Sequence, residues 1–119
     1  MRKLSWKSLL AWALAAFFVV GCTINLLDPP ATAAEYQGWG YPHWFHVVTG
    51  AMELATAVLL IAAATRLVGA AIGCLVMIGA AVTLIVHGAY AHAVLPLVIL
   101  GLLVFVGWAA FRTQSAVPA

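Results

Sequence analysis

The stretch Trp44-Phe45-His46-Val47-Val48-Thr49-Gly50-Ala51-Met52-Glu53-Leu54-Ala55 opens an apolar run that continues to Ala64 and holds a single carboxylate, Glu53. Counted from Trp44, Glu53 lies about 14 Å along a helix that rises about 1.5 Å per residue. That is close to the middle of a hydrocarbon layer roughly 30 Å thick. A bare charge at that depth is costly, so the carboxyl group calls for a proton, a hydrogen-bonding partner or a functional task. His46, Gly50 and Glu53 recur at i, i+4 and i+7, which places them on one helix face. Gly50 leaves a gap between the two polar side chains that a neighbouring backbone, a water or a ligand would fill.

Composition carries the same message to the whole chain. Of its 119 residues, 66% are hydrophobic and 7% are charged, against about 25% charged in an ordinary soluble domain. The expectation is a single-domain integral membrane protein over residues 1–119, with the lipid bilayer as its first partner. Arg2, Lys3 and Lys7 precede the first apolar run, Arg66 separates the second from the third, and Arg112 follows the fourth. Neither of the other two connections carries a basic residue. The positive-inside rule then puts both termini in the cytoplasm of a plasma membrane, of bacterial type, with the loops at 28–43 and 88–92 outside. No basic patch lies away from the membrane ends, so nucleic-acid binding is not expected.

Four runs are long enough to span, at about 8–27, 44–64, 67–87 and 93–111. Trp6 reads as an interfacial anchor before the first, and Asp28-Pro29-Pro30 stops it, because proline cannot continue a helix. The aromatics of the outer loop (Tyr36, Trp39, Tyr41) read as an outer belt, on a short re-entrant or surface helix. Thr65-Arg66 is a tight inner turn. Gly69 and Gly73 form a small-xxx-small pair that lets a helix approach closely, within the chain or in a homo-oligomer. Pro96 falls in the first turn of the last span, where a missing N–H is harmless. Short second and third connections make neighbours antiparallel, so the expected fold is an all-α membrane protein, a four-transmembrane-helix bundle.

Two features of the first and third spans bear on processing and redox state. Val19-Val20-Gly21-Cys22 has the form of a lipoprotein cleavage site, which would remove the first run as a signal peptide. The run continues through Ile24, Leu26 and Leu27, however, and so completes a span. Cys22 and Cys74 sit in opposite halves of their spans, a depth difference on the order of 10 Å from helix rise. A disulfide, which needs Cα atoms within about 7 Å, is not expected.

Thr83 and His87 are spaced i, i+4 in the outer half of the third span. If that face meets the face of Glu53, then His46, Glu53, Thr83 and His87 share the outer half of the bundle. Tyr36, Tyr41, His43, Tyr90 and His92 would lie near its mouth. The plainer reading makes Glu53 a structural carboxyl group and the histidines headgroup-level residues. His43 and His46 are three apart, and imidazole suits zinc, copper or iron. Pro42 precedes them and no second tight histidine pair exists, so no metal site is expected. The chain offers no serine or cysteine in a strained turn beside a histidine and an acid. It also lacks a Cys-x-x-Cys and any flavin or dinucleotide motif, so autonomous redox catalysis is not expected.

Taken together, Gly21, the Leu26-Leu27-Asp28-Pro29-Pro30 exit, Gly50-Ala51-Met52-Glu53-Leu54, Thr65-Arg66, Gly69-Ala70, Met77 and His87 resemble the DoxX-like family over nearly the whole chain. The Gly-x-x-Glu-Leu segment is the sharpest part of that resemblance. It implies a four-helix membrane protein, and some members are associated with membrane oxidoreductases, in quinone-linked sulfur oxidation or in thiol and oxidative-stress systems. Glu53 carries over as the central polar position, with His87 second. Many relatives have a lysine near the end of the first span, roughly where this chain has Asn25. Asn25 can hydrogen-bond but cannot neutralise a carboxylate, which favours a protonated Glu53 or a Glu53–histidine contact.

The function expected from these observations is an accessory membrane subunit of an oxidoreductase system. It has no cofactor of its own, and its outer-half pocket would take a quinone or similar apolar ligand. Glu53, His87, His46, Thr83, Asn25 and Tyr90 are the candidate ligand-binding or proton-handling residues. The alternative is a non-enzymatic lipid-binding or membrane-protein-stabilising module that uses the same pocket without proton transfer. A third reading leaves Glu53 as a tie between helices in a passive packing subunit.

Overall fold

The computed structural model describes residues 5–115, so Arg2 and Lys3 of the basic lead and residues 116–119 of the tail lie outside the described part. Among the described residues there are five α-helices: α1 (Trp6–Leu27), α2 (Pro30–Gly38), α3 (Phe45–Ile61), α4 (Arg66–Val86) and α5 (Tyr90–Ser115). Three stretches are long and apolar enough to cross a membrane: Trp6–Leu27, Ala63–Val86 and Tyr90–Thr113. The fourth apolar helix, Phe45–Ile61, is shorter, at 17 residues. The body measures 49 × 25 × 25 Å. α1 lies along α3, α3 along α4 and α4 along α5, while α1 and α5 meet more lightly.

The core is a thin seam of small and medium side chains. Phe18, Leu60 and Leu103 are its largest fully buried apolar members, with Ala11, Ala57 and Ala70 between them. Large apolar residues such as Val19, Val58, Leu75, Val86 and Trp108 are more than half or nearly half exposed along the outside. An apolar surface of that extent is tolerable only against lipid. The chain is a membrane protein. Gly69 shows why the seam is thin: a Cβ added there would meet the Leu59 and Leu60 backbone of α3 at 2.9 Å.

The helix ends explain the departures from the expected spans. α1 begins at Ser5, whose Oγ accepts from the backbone N–H groups of Lys7 and Ser8. Its other end is capped by Asp28 in the left-handed region (φ 51°), and Pro30 then opens α2 at a position where no N–H is needed. α3 stops at Ile61 rather than at 64, although Ala62-Ala63-Ala64 is a good helical sequence. Side chains take its last carbonyls instead. Arg66 donates to Leu60 O and Ile61 O, Thr65 Oγ1 to Leu59 O, and Trp12 Nε1 to Ile61 O. Ala62 turns extended and a short 3-10 turn, Ala63–Thr65, leads into α4.

α4 closes with His87 as cap and Gly88 at φ +77°, with Gly88 N–H bonding Ile85 O and Ala89 N–H bonding Leu84 O. This reversal takes so few residues that α5 already starts at Tyr90. Pro96 therefore lies inside the helix rather than in its first turn. Cys22 is buried, Cys74 half-buried, and both are free thiols.

Candidate functional site

Glu53 occupies the middle of α3 and is buried, 5% exposed. Two positions on α1 make room for it. Gly21 lies against Glu53 Oε2, where a Cβ would collide with the carboxyl group. One turn on, Asn25 Nδ2 donates to Glu53 Oε1. Glu53 thus meets Asn25, not a histidine. Gly50, the gap on the same face of α3, is filled by Leu26, whose Cδ2 lies 2.8 Å from the position of an added Cβ.

Asn25 is the hub of the polar network. Its Nδ2 also donates to Gly21 O at 3.1 Å, and its Oδ1 accepts from the Tyr36 hydroxyl at 2.7 Å. Its backbone carbonyl accepts from His46 Nδ1 at 2.7 Å. Burial pushes the Tyr36 phenol above its ordinary value of 10.0, which keeps it a neutral donor toward Asn25.

A cavity of about 340 Å³ lies between α3 and α4, with α2 over one end. Asn25, Glu53, Thr83 and Tyr36 reach its wall, among side chains such as Met52 and Met77. Tyr41 and Thr83 share a hydrogen bond of 2.5 Å at the wall. Tyr36, Trp39, Tyr41 and Phe45 form a roof, with the Tyr41 and Phe45 rings stacked at 4.4 Å. These aromatics turn inward and cover the cavity rather than facing out as a belt. Val48 and Leu75 line the cavity and are also exposed on the outer surface of the helices.

The six residues singled out in the sequence therefore divide. Asn25, Glu53 and Thr83 come together at one cavity. His46 lies behind Asn25, in a separate recess with Asp28 and His43. His87 is exposed at the end of α4, its Nδ1 2.8 Å from Thr83 O and its ring 6.5 Å from that of Trp39. Tyr90 is 68% exposed and stands outside the cavity wall. Tyr36 and Tyr41 line the wall itself rather than the mouth, and Asp28 was seen in the sequence only as a helix stop.

The pattern of the DoxX-like family matches residues 9–106. The chain belongs to the DoxX-like family. The match includes most of α1, with Cys22, and runs well into α5, so the Asn25–Glu53 pair and the whole cavity wall of this DoxX-like protein fall within it. No curated protein and no solved structure matches the chain.

Proposed function

We propose that this DoxX-like protein is a four-span plasma-membrane protein that holds a quinone-class molecule in the Glu53 cavity, as an accessory subunit of a membrane oxidoreductase. The observation that carries the reading is the cavity itself. Its volume of about 340 Å³ falls in the range of small-molecule sites, roughly 300–1,000 Å³, which are typically apolar with a few convergent polar groups. Here those groups form two sets, Glu53 with Asn25 and Tyr41 with Thr83. A quinone presents two carbonyl oxygens on a flat apolar ring. A hydroxyl of the Tyr41–Thr83 pair suits one oxygen, and a protonated Glu53 suits the other.

Val48 and Leu75 belong both to the wall and to the outer surface, which favours entry from the lipid side by a membrane-soluble ligand. The chain offers no redox centre, so electrons would come from a partner protein and the role of this chain is to bind and position. The 17 residues of α3 cover about 25 Å at helical rise, at the short end of what spans a bilayer. Arg66 and Arg112, with Lys7, favour both termini inside by the positive-inside rule. Reporter fusions test that arrangement: a reporter active only outside should work at residue 40 and fail at residue 65, and the reverse pattern contradicts it.

The binding test is a titration of the detergent-purified chain with a short-chain quinone, read by quenching of Trp39 above the cavity. Saturable quenching is expected, weakened by Thr83→Val and by Glu53→Gln in chains that keep their helical content. Saturation that both variants leave unchanged contradicts the site. Displacement of a co-purified phospholipid with no quinone response favours the lipid-binding alternative.

A further inference from the structure

We propose that Asp28, His43 and His46 form a binding site for one first-row divalent cation of the zinc class, at the junction of α1, α2 and α3. Asp28 caps α1, His43 sits in the turn before α3, and His46 lies in the first turn of α3. One ligand atom from each lies within 4.8 Å of the others. The donor set, two imidazoles and a carboxylate, suits such a cation.

The tightest pair argues most directly. His46 Nε2 and Asp28 Oδ2 are 3.6 Å apart, too far for a hydrogen bond. Two ligands each about 2.0 Å from a tetrahedral zinc stand about 3.3 Å apart, close to the spacing seen. The other ring nitrogen fixes the tautomer. Nδ1 lies 2.7 Å from the carbonyl oxygen of Asn25, and a carbonyl only accepts, so Nδ1 carries the hydrogen. In the neutral ring the lone pair is then on Nε2 and faces the carboxylate. A ligating histidine that donates its second N–H to a backbone carbonyl is the usual support of a metal site.

Asp28 adds a second, independent observation. Its Oδ1 is buried and has no hydrogen-bond partner among the described residues, and a buried acceptor left so is uncommon. His43 is exposed, its ring 5.6 Å from that of His46, so a change of side-chain rotamer closes the remaining distance. The three side chains line a recess of about 330 Å³ that Gln37 and Tyr41 also border. Three protein ligands beside open space leave a position for water or a small ligand, as in zinc sites that are not purely structural.

The competing arrangement is a protonated His46 paired with Asp28 and no metal, and the experiment separates the two. The full chain is purified in detergent without a polyhistidine tag, stripped with a chelator and titrated with Zn²⁺ alone against a chromophoric chelator. Uptake of one zinc per chain is expected. Asp28→Asn keeps the shape of the side chain and tolerates the left-handed backbone, and His43→Ala removes an exposed ring. Each should weaken binding on the order of tenfold or more, with helical content retained. His92→Ala, an exposed histidine outside the cluster, should bind as the parent does. Failure to take up zinc, or affinity in Asp28→Asn and His43→Ala equal to that of the parent chain, overturns the proposal.

Discussion

Asn25 concentrates the polar contacts beside the cavity in one residue. Its amide nitrogen serves Glu53 and Gly21, its amide oxygen serves Tyr36, and its carbonyl serves His46. Replacing it with alanine removes the Asn25 bond to the Tyr36 hydroxyl and strands the buried Glu53 carboxyl group, the latter at a cost of about 1–3 kcal/mol. Asn25→Ala should therefore lower thermal stability in detergent clearly. Glu53→Gln, whose amide oxygen still accepts from Asn25, should lower it far less. A Glu53→Gln loss as large as that of Asn25→Ala would mean that the carboxyl group itself ties the helices together. At this scale the sequence was partly legible. Glu53 stands out because a lone carboxyl group in an apolar run is costly, and Asn25 through the DoxX-like resemblance, as the residue roughly where many relatives have a lysine. Tyr36 and Tyr41 were not legible as cavity wall, since the way α2 and the turn after it fold over α3 leaves no periodic signal.

The helices themselves follow from apolar run length, and their ends follow from capping. The sequence marks Asp28-Pro29-Pro30 as a stop, where α1 ends, and a turn at Thr65-Arg66, which the structure places just before, at 62–65, with Arg66 opening α4. What it does not reveal is that Arg66, 8% exposed, reaches back to the Leu60 and Ile61 carbonyls and shortens α3. Its approach to Ser8 Oγ at 3.4 Å also ties α4 to α1. Caps of this kind, made from five or six residues further on, depend on how the turn folds back on the helix end, and run length carries no trace of that. Arg66→Met keeps the apolar stem and removes the donors to the Leu60 and Ile61 carbonyls, of which the first is buried. It should destabilise by about 1–3 kcal/mol, measured by thermal unfolding. Arg66→Lys should recover only part of the loss, because an ammonium is a single point where the guanidinium is a fork. Full recovery with lysine would show that charge alone, not the forked cap, holds this corner. The early start of α5 has a similar origin: the Gly88 reversal is so tight that Pro96 ends up inside the helix.

As a whole, the molecule is four apolar helices whose outside is as apolar as their seam, with one short helix closing an end. The apolar character is legible in composition, and the family match over 9–106 covers the four apolar helices in whole or in part. The arrangement leaves one cavity with a buried carboxyl group at the level of mid-helix, and the account stands or falls on whether that cavity holds a ligand. The direct measurement is the native intact mass of the chain extracted from its own membranes in mild detergent, compared with that of Thr83→Val. The account predicts an intact chain carrying one extra mass of the quinone class, depleted in the variant. An intact chain with nothing bound, or one carrying only phospholipid that the variant retains in full, would contradict it.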